Sequence, residues 1–225
     1  MDIDVEEFDQ VNYAHLRDAN NLIDTIIDEN GYEYGIIMDI GCGSGKVTNL
    51  LDSRLQIRNK LYALDIDVKA IKYARNNYSS PRVNYVVQDI SLPWNELHPS
   101  IQELEGKVDM IFSNRVLHWI EHKEKAFDNI AKLLKSETGK IYANITTLWD
   151  LFYDLNDEEK AKYAKILYIP TEKEQIEQFR KLLTTNKLDI ITIESTYLNQ
   201  LYPHDEFKNG NNLFLYNSPI ILFFN

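Results

Sequence analysis

The run Ile36-Ile37-Met38-Asp39-Ile40 passes directly into Gly41-Cys42-Gly43-Ser44-Gly45, and this junction constrains the fold more than any other stretch. An apolar run rich in β-branched residues, three alternating glycines and then the helical spacing of Lys46 to Leu51 together predict a strand, a tight turn and a helix. Lacking Cβ, glycine accepts a positive φ and lets the backbone approach a ligand at the carboxyl end of a buried strand. Two familiar glycine loops do not fit. A phosphate-binding P-loop needs glycine where Ile40 stands and Ser or Thr where Val47 stands. A dinucleotide fingerprint needs glycine in place of Lys46.

Along the chain, strand and helix patterns alternate. Phe8 to Asp28 carries Leu16, Leu22, Ile23, Ile26 and Ile27 at helical intervals, which predicts one amphipathic helix or two, ended by Asn30-Gly31. Strands are expected at Leu61–Asp65, Val83–Val87, Val108–Asn114, Lys140–Ile145, Leu188–Tyr197 and Ile220–Phe224, with Pro219 suiting a strand start. Helical spacing covers Val68–Tyr78, Glu124–Leu134 and Gln175–Leu183. Such alternation predicts an α/β fold with a parallel sheet and helices on both faces. Ligands of these sheets sit beyond the carboxyl ends of the strands, where Asp39–Gly45, Asp65, Asp89 and Asn114 all fall.

The 225 residues, 44% hydrophobic, suit a single domain over 1–225. A net charge of -11 argues against a nucleic-acid or anionic-membrane partner. An acidic N-terminus without a signal peptide pattern and the lack of a bilayer-length apolar run point to a cytoplasmic protein. The single cysteine, Cys42, excludes an internal disulfide and a multi-cysteine zinc site; no metal is expected, and in a turn of small residues Cys42 reads as a packing residue rather than a nucleophile.

About twenty residues beyond Gly45, Asp65 ends the second strand, where a carboxylate can accept both hydroxyls of a ribose. Asp89-Ile90 ends the third and could pair an exocyclic amine and wall a base. Singly, such acids also serve as helix caps or solvated turn residues. In this order behind one glycine turn, they describe an adenosine site.

The pattern resembles the class I S-adenosylmethionine-dependent methyltransferases, with Asp39-Ile40-Gly41-Cys42-Gly43-Ser44-Gly45 as their first motif. The resemblance implies a Rossmann-like, seven-stranded, mostly parallel sheet whose last strand is antiparallel. It implies S-adenosyl-L-methionine as cofactor and contacts from Asp39, Gly41, Cys42, Gly43, Gly45, Asp65, Ile66, Asp89, Ile90 and Asn114. Leu117-His118-Trp119-Ile120, the Asn12…Arg17-Asp18-Ala19 pattern and Trp149-Asp150 further resemble juvenile hormone acid methyltransferases. In that family a tryptophan and a glutamine hold the acceptor carboxylate. Trp119 matches the first, and His15 stands at the second's place. For Trp119 the competing reading is core packing.

The resemblance also implies that the N-terminal helix 8–29 and an insertion at 147–170 cover the site, with Trp149, Phe152 and Tyr153 as apolar candidates. The stretch from Leu198 to Ser218 is shorter than the family's pocket-building segment. The expected partner is a small carboxylic acid, already ionised at neutral pH, so transfer needs orientation and dryness but no general base. Orientation can supply roughly 7–11 kcal/mol of the barrier. Two alternatives stand beside this one: transfer to another small acid such as aconitate, for which Arg17 and Arg115 are the nearby cations, and a cofactor-binding chain without transfer.

Overall fold

The computed structural model describes residues 4–145, 172–197 and 217–224. The expected insertion at 147–170, with Trp149, Phe152 and Tyr153, and the stretch 198–216 lie outside the described residues.

The N-terminal pattern divides into two helices, α1 (Val5–Val11) and α2 (Tyr13–Asn30), which meet at Asn12. Asp4 caps α1 by accepting from the backbone N–H groups of Glu6 and Glu7 at 2.9 and 3.1 Å. Gly31, at φ 76°, ends α2 as its sequence suggests, and its N–H returns to the Ile27 carbonyl.

Five strands form a parallel ladder: β1 (Glu33–Ile40), β2 (Gln56–Asp65), β3 (Val83–Val87), β4 (Met110–Asn114) and β5 (Lys140–Ile145). Between them lie α3 (Lys46–Arg54), α4 (Val68–Asn77), α5 (Pro99–Gln102) and α6 (Lys123–Leu133), followed by α7 (Glu172–Thr185), β6 (Ile190–Tyr197) and β7 (Asn217–Phe224). Strand β7 runs antiparallel to both β5 and β6, so among the described residues the order is β3-β2-β1-β4-β5-β7-β6. The order reverses between β1 and β4, which is where a sheet of this kind opens a crevice. Pro219 lies inside β7 rather than at its start, between Asn217 and Ile220, where the register against β6 shifts. Proline is tolerated in a strand at such irregularities because it has no N–H to give the ladder.

Alternation along the strands divides the core in two. Met110, Phe112 and Tyr142 face α2 and pack with Leu22, Ile23 and Ile26, while Ile111, Ile141 and Ala143 face the opposite side with Phe127, Ile130 and Phe179 of α6 and α7. Each fully buried Leu or Ile of α2 contributes about 1.5–3 kcal/mol, which anchors this helix along β4 and β5 with its first turns beside their carboxyl ends. Strand β2 begins five residues before its apolar run, because Gln56 and Ile57 pair with Glu33 and Tyr34 at the foot of β1. That half is polar and mostly exposed, so no apolar pattern announces it. Among the described residues, no helix is long and apolar enough to cross a membrane.

Candidate active site

Gly41, Gly43 and Gly45 all have positive φ, at 79°, 52° and 88°, but for different reasons. A Cβ on Gly41 would lie 2.2 Å from Cγ2 of Val116, and one on Gly45 would lie 2.7 Å from Cβ of Ala74. On Gly43 it would meet nothing within 4 Å. The outer glycines therefore admit neighbouring parts of the protein, and the middle one presents an open backbone edge suited to a ligand. The Leu64 carbonyl accepts from the N–H groups of Gly41 and Cys42 at 2.7 and 2.9 Å, tying the turn to β2. One residue further, the Gly43 N–H donates to Oδ2 of Asp65 at 2.8 Å, and the other carboxylate oxygen accepts from the Asp67 N–H at 2.9 Å. Burial raises the pKa of Asp65, while these N–H groups oppose the rise.

Beneath the turn, Asp39 is buried and accepts from the Thr48 hydroxyl at 2.7 Å, joining the end of β1 to α3. Burial pushes Asp39 up to about 7; the Thr48 hydroxyl counters this and the Asp65 charge adds to it. A carboxyl whose folded pKa lies above its unfolded one holds more protons when folded, so this group's contribution to stability falls as pH rises from about 4 to about 7. Thr48→Val, nearly the same shape, removes the opposing donor. It is expected to carry that fall to higher pH and to lower stability at pH 8 by about 1–3 kcal/mol. Urea unfolding at pH 5 and pH 8 measures both, and an equal loss at the two pH values would contradict the linkage. Cys42 packs with Ala63, Ile71, Ala74 and Tyr85, and burial raises its thiol pKa well above the usual value, which disfavours the thiolate.

Two adjoining cavities open at the crevice. The first, of about 560 Å³, is bordered by Asp65, Ile66, Asp89, Ile90 and Trp119. Oδ1 of Asp89 accepts from both the N–H and the hydroxyl of Ser91, at 2.8 and 2.7 Å. Ile90 belongs mostly to the core and Ile66 is 67% exposed, so they form the floor and the rim. The Asn129 amide of α6 donates to the Ile90 and Leu92 carbonyls and fixes this loop.

The second cavity, of about 620 Å³, is bordered by Phe8, Asn12, His15, Gly43, Asn114 and Trp119, among others. Trp119 sits in a 3-10 turn (Leu117–Trp119) and is 56% exposed, which rules out the core-packing reading of this residue. His118 beside it is buried, its ring 5.1 Å from that of Trp119, and burial with the nearby Arg115 charge lowers it to about 3. His15 stands edge-on to Phe8 at 5.1 Å. Burial first, then the Arg115 charge, lowers His15 to about 4, so at neutral pH its imidazole is uncharged.

Two polar clusters hold these walls. Asp18 of α2 is buried and accepts from Nε of Arg17 at 2.9 Å and from Nε of Arg115 at 2.7 Å. The Asn144 amide donates to the Asp18 carbonyl and to Oδ1 of Asn114, whose own amide donates to the His15 carbonyl. Both ends of the Asn114 side chain are thus engaged in bracing α2. On the other side, Asp9 of α1 accepts from the hydroxyls of Ser44 at 2.5 Å and Tyr78 at 2.7 Å, and Lys46 donates to its carbonyl. Asp18 stands in the Arg-Asp-Ala string, which marks its place but not its role as a brace; for Asn144, Asp9 and Thr48 nothing in the chain does.

Comparison with known proteins agrees with this geometry. The family described as "Methyltransferase domain" matches residues 35–187. The juvenile hormone acid O-methyltransferase of Bombyx mori is 31% identical over 127 residues, which cover 55% of this chain and 44% of that protein. The malonyl-[acyl-carrier protein] O-methyltransferase of Acetivibrio thermocellus is 29% identical over 119 residues, 53% of this chain and 38% of that one. The match thus spans less than half the length of either relative. In fold, the chain is similar to the magnesium protoporphyrin IX methyltransferase of Synechocystis PCC 6803 with bound S-adenosylhomocysteine. The TM-score there is 0.60 at 17% identity, over 93% of this chain and 82% of that one. With a glycine turn open at Gly43, an acid at the end of β2 and a family match across two thirds of its length, the chain belongs to the class I S-adenosylmethionine-dependent methyltransferases.

Proposed function

We propose that this chain methylates the carboxylate of a small hydrophobic acid, of the isoprenoid kind represented by juvenile hormone acid or farnesoic acid. The observation that carries this reading is Trp119: a tryptophan ring, more than half exposed, set where the two cavities meet. The first cavity suits the adenosine, with Asp65 for the ribose, Asp89 for the base amine and Ile66 and Ile90 as apolar surfaces. The edge of Gly43 leads from there into the second cavity, which takes the methionine part and the acceptor. When bound, S-adenosylmethionine supplies an activated methyl on a sulfonium; transfer to a carboxylate oxygen gives a methyl ester and S-adenosylhomocysteine.

The chain's own part is orientation. The Trp119 indole and the neutral His15 imidazole each offer one N–H, enough for a carboxylate already ionised, and Phe8 supplies apolar wall. Arg115 is engaged by Asp18, which weighs against an acceptor with several carboxylates such as aconitate. The O-methyltransferase names of both relatives favour the same chemistry.

Incubation with labelled cofactor and a panel holding farnesoic acid and aconitate tests the reading. A labelled farnesoate ester is expected; a product with aconitate alone would replace the acceptor class, and tight cofactor binding without any product would leave a cofactor-binding chain. Trp119→Ala is expected to cut kcat/KM for the acid about 10²-fold, the scale of losing one oriented donor, with S-adenosylhomocysteine affinity nearly kept. Equal loss of both would remove the acceptor role.

A further inference from the structure

Arg115 has φ 61°, a left-handed backbone that a long side chain rarely adopts. It comes directly after the last residue of β4 and begins the turn that carries Trp119. Three contacts hold it. Its N–H donates to the Asn144 carbonyl at 2.8 Å, its Nε donates to Oδ2 of Asp18 at 2.7 Å, and its Nη2 lies 2.5 Å from that oxygen. Both side chains are buried, so the pair cannot be replaced by solvent.

The course of the turn beyond Arg115 depends on that conformation. Val116 packs onto the bare α-carbon of Gly41, and its carbonyl accepts from the Trp119 N–H at 2.8 Å. On the helix side, Asp18 lies one turn beyond His15, whose carbonyl is bound by Asn114. The Asp18–Arg115 pair is therefore a crosspiece between the helix that carries His15 and the turn that carries Trp119.

Resting on the acceptor site of the proposed function, we propose that Asp18 is a positioning residue: by holding Arg115 in a left-handed backbone, it sets the spacing of His15 and Trp119 and seats Val116 on the glycine turn. Neither Asp18 nor Arg115 needs to touch the acceptor for this.

The test separates backbone conformation from charge. Asp18→Ala is expected to raise the Kd for S-adenosylhomocysteine and to lower kcat/KM for the acid, the latter by about 10²-fold, as a displacement near 1 Å can do. In that background, Arg115→Gly and Arg115→Ala both delete the unpaired charge, but only glycine takes the positive φ freely. Asp18→Ala/Arg115→Gly is expected to regain about ten-fold in both quantities over Asp18→Ala/Arg115→Ala. Equal recovery by the two would mean that an unpaired buried charge was the whole defect, and no recovery by either would mean that the guanidinium or carboxylate binds ligand directly; each overturns the positioning role. Should Asp18→Ala fail to fold, Arg115→Gly against Arg115→Ala in the native background makes the same comparison. Calorimetry with S-adenosylhomocysteine gives the result even if the acid is not the acceptor, so loss of the acceptor reading and loss of this one are told apart.

Discussion

Gly41→Ala is expected to lower the unfolding free energy by about 2–5 kcal/mol, from about 1–2 for an alanine at positive φ and about 1–3 for overpacking. The overpacking has a named partner, since the new methyl would lie 2.2 Å from Val116. Val116→Ala placed with it should recover the second part and leave the first, a coupling that a double-mutant cycle in urea reads directly. Gly43→Ala makes the contrast. With nothing within 4 Å of its Cβ, it should lose only the backbone part, about 1–2 kcal/mol, yet weaken S-adenosylhomocysteine binding because the methyl fills the edge the ligand needs. Equal destabilisation by the two alanines would contradict the division of the turn into a packed glycine and an open one.

Asp65→Ala is expected to weaken cofactor binding about a hundred-fold or more, the loss of charge-assisted bonds to two ribose hydroxyls. It also strips the Gly43 and Asp67 N–H groups of their acceptor, so the glycine turn loosens and the melting temperature falls with the affinity. Asp65→Asn separates the two roles. One amide oxygen can still serve a backbone N–H, which keeps much of the stability, while a neutral group with a single acceptor cannot bind both hydroxyls with the strength of a carboxylate. Calorimetry on the asparagine variant with native-like affinity would take the ribose from Asp65.

The parts of the fold legible in the chain are those in which neighbours in sequence are neighbours in space. The glycine turn, the apolar runs of β1, β3, β4 and β5, and the amphipathic faces of α2, α4 and α6 are all local patterns. The first half of β2 is not, since its pairing with Glu33 and Tyr34 is made by backbone and not by apolar side chains. Within the site, Asp65 and Asp89 can be placed because the first is the last residue of β2 and the second follows the end of β3 by two residues. Asp18, Asn144 and Asp9 cannot, because a polar side chain becomes a brace only when partners 97, 126 or 35 positions away arrive beside it. The motif around Trp119 marks its place along the chain but not its exposure, which depends on how the turn after β4 leaves the core.

Helix α1 has seven residues, too few to persist alone in water. Its order is lent by Asp9, whose partners Ser44, Lys46 and Tyr78 belong to the glycine turn, the start of α3 and the end of α4. Phe8 of this helix and Asn12 just beyond it border the second cavity, so a ligand bound there would contact α1 as well. Occupancy and the ordering of α1 would then be one linked equilibrium: amide protons of Phe8 and Asp9 are expected to exchange more slowly as ligand concentration rises, and loosening the Asp9 contacts should make the ligand bear the entropy of folding the helix.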